Sequence, residues 1–286
     1  MSVHARILSL VLALAACGPG SPAPPPDVEP LPGPGERVVI QPEVADIRGA
    51  AELRHATSLP SIAEMSLRDK AAQLVMPWID GAYWADDNEA MEAALRLVEE
   101  QRVGGFVMGI GTSPYDVAAK LNRLQRASRL PLLMAADLES GPSMRIRGGT
   151  TFPGNMALGA TGRVDDAYDV GRVIATEGRA VGFHMAFAPV VDVNNNPANP
   201  IINTRSFGED PVQVGRLAAA FIRGLHDHGM LATAKHFPGH GDTGTDSHVA
   251  LPVITVSRGR LDSLELVPFR VAVEAGVDAV MSAHIA

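Results

Sequence analysis

From residue 61 onward the chain alternates between two kinds of segment. Short, near-continuous apolar runs recur at "QLVMPW" (73–78), "GGFVMG" (104–109), "PLLMAAD" (131–137), "HMAFAPVVDV" (184–193), "MLATAKH" (230–236) and "DAVMSAHI" (278–285). Runs without alternation of apolar and polar positions predict strands covered on both faces, as in parallel sheets. Between most of them lie longer segments with apolar residues at three- and four-residue steps. In "NEAMEAALRLVEEQR" (88–102), Met91, Ala94, Leu95 and Val98 share one helical face. "SPYDVAAKLNRLQRAS" (113–128) opens with a serine N-cap and a proline in the first turn. Residues 165–182, 210–229 and 261–276 predict three more helices, with Pro268 bending or splitting the last.

Repeated βα units predict a parallel α/β fold, either a barrel or an open sheet. Asp137, Asp192 and the Lys235–His236 pair fall at the C-terminal ends of predicted strands. That end is the active face of a (β/α)8 barrel, although an open sheet shares the feature. About six βα units are legible where a closed barrel needs eight, so the expected fold is an incomplete TIM-type barrel.

Composition narrows the partners. The chain has 286 residues, 46% hydrophobic and 20% charged, which is enough for a sizeable core. A formal charge of −8 without a basic stripe argues against nucleic acid. A single cysteine, Cys17, excludes an internal disulfide. It closes the segment "MSVHARILSLVLALAAC", in which Arg6 precedes an apolar run too short to span a membrane. "LAAC" resembles the lipobox of bacterial lipoproteins, which implies that residues 1–17 are a signal peptide and that Cys17 carries a lipid; an ordinary signal peptide is the alternative. Residues 18–35 hold eight prolines and read as a stiff spacer. The expected organisation is signal peptide 1–17, linker 18–40 and barrel 41–286. The expected location is the cell envelope, lipid-anchored on the periplasmic face of the outer membrane, as a monomer.

The densest chemistry lies in "AKHFPGHGDTGTDSHVA" (234–250). A phosphate-binding loop is excluded, because no Gly-Lys-Ser/Thr follows the glycines. Ser247 has no Gly-x-Ser-x-Gly elbow for a hydrolase nucleophile. His236, His240 and His248 match no standard helical zinc signature, so neither metal nor cofactor is expected. Residues two apart in an extended loop point the same way. Asp246 can therefore orient the His248 ring and raise its basicity, leaving the other ring nitrogen to transfer a proton.

"KHFPGHGDTGTDSH" resembles the signature of family 3 glycoside hydrolases of the β-N-acetylhexosaminidase (NagZ-type) branch. "DLESGPSMR" (137–145) and "APVVDVNNNPANPIINTRSFGEDP" (188–211) resemble two further family segments in the right order. The resemblance implies that Asp246 and His248 form the acid/base dyad, and that Asp137, Arg145, Arg205, Lys235 and His236 line the sugar subsite. Taken alone, Arg145 and Arg205 read as surface salt-bridge residues. Lys235, directly after an apolar strand, is costly unless it has a partner or ligand. Asp192, at the end of the fourth strand, is open to a substrate-binding role but reads rather as structural, and His240 and Asp242 read as holding the loop's shape. Ser140 stands where the family has the first glycine of a pair, so an altered turn is expected there.

The implied reaction is retaining hydrolysis of terminal non-reducing β-linked N-acetylglucosamine, with peptidoglycan fragments (muropeptides) as the expected substrate. No residue matches the family's nucleophilic aspartate, which is expected beyond residue 286, so this chain alone is expected to be inactive. Two alternatives stand beside it: a β-N-acetylglucosaminide phosphorylase, and a non-catalytic glycan-binding lipoprotein.

Overall fold

A computed structural model describes residues 61–85, 87–244 and 251–286. Cys17, the expected signal peptide and linker, and the Asp246–His248 pair lie outside the described residues. Six strands form one sheet: β1 (Trp78–Gly81), β2 (Gly105–Gly111), β3 (Leu133–Ala136), β4 (Met185–Ala186), β5 (Leu231–Phe237) and β6 (Ala279–Ser282). Every neighbouring pair is parallel, and the spatial order is the chain order, β1-β2-β3-β4-β5-β6. A doubly wound open sheet reverses its order at a switch point; strictly sequential order is that of a barrel. The fold is therefore an α/β structure with six consecutive units of a TIM-type barrel.

The helices are α1 (Leu67–Gln73), α2 (Glu89–Arg96), α3 (Pro114–Ala127), α4 (Asn155–Thr161), α5 (Val164–Ala180), α6 (Pro211–His226), α7 (Arg258–Ser263) and α8 (Leu266–Glu274). Their starts follow local side-chain chemistry. Ser113 accepts the Asp116 N–H in a capping box ahead of α3, and Asp210 accepts the Val212 N–H ahead of α6. The split expected near Pro268 falls a few residues earlier, between Ser263 and Leu266, which places Pro268 in the first turn of α8 where its missing N–H has no helical partner to lose.

Two expectations are corrected. The run 73–78 is not a strand. It covers the end of α1 and a turn, and β1 begins only at Trp78. The Ser66 N-cap, accepting from the Asp69 N–H, commits the segment to helix. Leu74 and Val75 are 87% and 49% exposed, so apolar content alone misplaced this strand. The run 184–193 forms a ladder only at Met185–Ala186. Pro189 has no N–H to offer the ladder. Pairing with β5 resumes irregularly beyond it, where the Val191 N–H donates to the Lys235 carbonyl at 2.8 Å. The core lies between sheet and helices around Phe106, Met134, Leu138, Ile174, Phe183 and Phe221, all at most 2% exposed. Burying each such side chain contributes about 1.5–3 kcal/mol.

Candidate active site

Strands β3 and β5 deliver the central charges. β3 ends in fully buried Ala135 and Ala136, and Asp137 emerges just past it. In β5, buried Ala232, Thr233 and Ala234 lead to Lys235, only 1% exposed. Its ammonium lies 2.8 Å from Asp137 Oδ1 and 2.6 Å from Glu139 Oε1. A charge so buried is tolerated because its partners offset the loss of water. Arg145 Nη2 donates to Asp137 Oδ2 at 2.7 Å. Arg205 forks onto Glu139 through Nε and Nη2 at 2.9 and 2.8 Å. Nη2 also lies 3.3 Å from His236 Nε2, and His236 Nδ1 lies 2.7 Å from Asp192 Oδ2. The result is one unbroken row: Arg145, Asp137, Lys235, Glu139, Arg205, His236, Asp192.

This row sets protonation. Arginine only donates, so the Arg205 hydrogen bond requires His236 Nε2 as acceptor and matches the tautomer with its proton on Nδ1, facing Asp192. Burial pushes the Glu139 carboxyl up, but the Arg205 hydrogen bonds and the Lys235 charge outweigh it and hold it at about 2. Burial also pushes the Asp137 carboxyl up, but the Lys235 charge and hydrogen bond and the Arg145 charge outweigh it and leave it below its ordinary value. Burial lowers the Arg205 pKa, while Glu139 raises it further and leaves it above the usual value. Counted by formal charge, with histidine neutral, the row sets three cations (Lys235, Arg145, Arg205) beside three carboxylates (Asp137, Glu139, Asp192), and these sum to zero.

Asp192 is fully buried and anchors the following loop. It accepts the backbone N–H of His236 and, at 2.7 Å, that of His240. His240 Nδ1 lies 2.7 Å from Thr243 Oγ1, and buried Asn199 donates to the carbonyls of His240 and Gly241 at 2.8 and 2.9 Å. Gly241 is required by close approach: a Cβ there would lie 1.7 Å from the Val193 carbonyl oxygen. Asp242 lies 3.6 Å from Arg260. The structural reading of Asp192 and the loop-holding reading of His240 and Asp242 both agree with these contacts.

The row opens into a cavity of about 640 Å³ lined by Asp137, Glu139, Arg145, Arg205, Lys235 and His236 among others, a volume within the usual range for small-ligand sites. All five described candidates for the sugar subsite meet here. Arg145 and Arg205 are salt-bridged, as each reads alone, but within the cavity wall. Two residues escaped sequence reasoning, Glu139 and Asn199. Both sit inside the motifs that carry the resemblance, and their partners are far away in sequence. The turn after β3 is not strained at Ser140. Only Gly141 has positive φ, at 113°, so the second position alone needs glycine.

Sequential parallel βα units with a charged cavity at the C-terminal ends of the strands define a barrel protein whose polar cavity lies on the face where such barrels carry their sites. The chain belongs to glycosyl hydrolase family 3, whose N-terminal domain matches residues 66–286. It is 41% identical over 189 residues to a Cellulomonas fimi protein named beta-N-acetylglucosaminidase/beta-glucosidase, covering 66% of this chain and 33% of that one. A solved family 3 beta-N-acetylglucosaminidase from Paenibacillus sp. superposes with a TM-score of 0.71 at 45% identity, covering 77% of this chain and 42% of the other. NagZ from Neisseria gonorrhoeae, solved with N-trifluoroacetyl-D-glucosamine, gives a TM-score of 0.66 at 33% identity over 74% of this chain and 63% of that one. The chain spans between 33% and 58% of the length of the first curated relatives it matches.

Proposed function

We propose that the whole protein hydrolyses terminal non-reducing β-linked N-acetylglucosamine (N-acetylhexosamine) residues in peptidoglycan fragments, by a retaining mechanism. The observation that carries this reading is the neutral row of paired charges in the cavity wall. Sugar hydroxyls both donate and accept, and alternating carboxylates and cations offer both partners as charge-assisted bonds. A row without net charge suits an uncharged sugar ring. The names of the beta-N-acetylglucosaminidase relatives favour the N-acetyl sugar.

A glycosidase also needs a proton donor for the departing oxygen. The described carboxylates of the row are poor donors: each is tied to cations or ring and backbone N–H groups, and Glu139, at about 2, is ionised at neutral pH. This supports assigning proton transfer to His248, oriented by Asp246. Asp137, Arg145, Arg205, Lys235 and His236 would hold the sugar, and Asp192 would hold His236. The lipid on Cys17, the spacer 18–40 and a periplasmic outer-membrane location belong to the same proposal, supported by the "LAAC" segment. Among the described residues no helix is long and apolar enough to cross a membrane.

The test is turnover by the full-length gene product of aryl β-N-acetylglucosaminide against aryl β-glucoside, with and without inorganic phosphate. The expected result is preferential release from the N-acetylglucosaminide independent of phosphate. Release that requires phosphate and yields a sugar 1-phosphate would replace hydrolysis by phosphorolysis. Binding without turnover would point to a glycan-binding role.

A further inference from the structure

Glu139 is the most heavily engaged carboxylate of the cavity, with a side chain only 7% exposed. Its Oε1 meets both the Lys235 ammonium at 2.6 Å and Arg205 Nη2 at 2.8 Å, and its Oε2 accepts from Arg205 Nε at 2.9 Å. A lysine ammonium has three N–H donors and a guanidinium five. Among the described residues, Lys235 commits one to Asp137 and one to Glu139. Arg205 commits two to Glu139, one to the Ile201 carbonyl at 3.1 Å and one to His236 Nε2 at 3.3 Å. One N–H of each cation is left, and both cations line the cavity.

We infer that Glu139 is a positioning residue: it aims the uncommitted N–H groups of Lys235 and Arg205 into the cavity, and its charge makes the cavity refuse anions. The two roles share one cause. Asp137 and Asp192 have their own partners, so no other described carboxylate lies on the Arg205 fork. Without the Glu139 charge the row carries one excess positive charge. The guanidinium fork that now grips a carboxylate then matches a phosphate, since it binds either anion through two parallel bonds. Loss of Glu139 should thus convert a sugar site into an anion site, which a carboxylate that merely supported packing would not do.

The experiment compares the full-length protein with its Glu139→Gln and Glu139→Asp variants in calorimetric titrations against N-acetylglucosamine and against inorganic phosphate. Glu139→Gln should weaken the sugar by about tenfold or more and gain millimolar phosphate binding that competes with the sugar. Glu139→Asp keeps the charge on a shorter stem, so it should still exclude phosphate while losing part of the sugar affinity. Wild-type sugar affinity in a folded Glu139→Gln variant, or failure of that variant to bind phosphate, overturns the inference. Should Glu139→Gln not fold, Glu139→Asp decides: unchanged sugar affinity overturns the positioning role, and reduced affinity with intact secondary structure supports it. Only the sugar arm rests on the proposed function. If the wild-type protein fails to bind N-acetylglucosamine, that reading falls and the phosphate arm still decides the role of Glu139.

Discussion

The buried carboxylate of Asp192 holds the ring of His236 at 2.7 Å while also accepting that residue's own backbone N–H. The same carboxylate takes the His240 N–H, so one side chain fixes both a cavity-facing imidazole and the root of the loop beyond it. Asp192→Asn would remove the buried charge and one of the two oxygens that accept the backbone N–H groups of His236 and His240 and face the His236 ring. We predict a loss of about 2–4 kcal/mol in urea unfolding and weaker sugar binding with it. Wild-type stability would remove Asp192 from this anchoring role.

Acid stability follows from Glu139. Its ordinary value is 4.5, and the folded value is held at about 2. A depressed carboxyl contributes stability that is complete above the unfolded value and disappears as pH falls toward the folded one. About 3 kcal/mol should therefore be lost between pH 4.5 and about 2. Denaturant unfolding across that window should show this slope, and Glu139→Gln should flatten it.

The proposed proton transfer by His248 has its own signature. A general acid matters most when the departing group is a poor leaving group. His248→Ala in the full-length protein should cost roughly 10²–10⁴ in kcat on a disaccharide, and far less on an aryl glycoside with an acidic phenol. Equal losses on both substrates would contradict the acid role.

Much of this was legible in sequence because cost makes some residues conspicuous. A lysine at the end of the apolar run 230–236 needs a partner, and the structure supplies Asp137 and Glu139. Asp137 was visible as the first polar residue after "LLMAA". Glu139 was not, although it lies two residues on, because its meaning depends on Arg205, 66 residues away. Asn199 likewise acts on carbonyls 41 and 42 residues away. The first strand was misplaced for a different reason: an apolar stretch at a helix end looks like a buried strand until its exposure is known. Pairing interrupted at Pro189 shows the same limit, since periodicity does not report which N–H groups a ladder needs.

The proposed anchor is tested separately. Cys17→Ser should release the protein from the membrane fraction into the soluble fraction while leaving its activity on soluble substrates unchanged. Membrane association that survives the substitution would remove the lipid from the account.

The central claim is that the row from Arg145 to His236 binds a sugar ring. The most direct measurement is a crystal structure of the full-length protein with N-acetylglucosamine bound. The account predicts ring hydroxyls at about 3 Å from Asp137, Lys235, Arg205 and His236. A sugar seated elsewhere, with this row untouched, would contradict it.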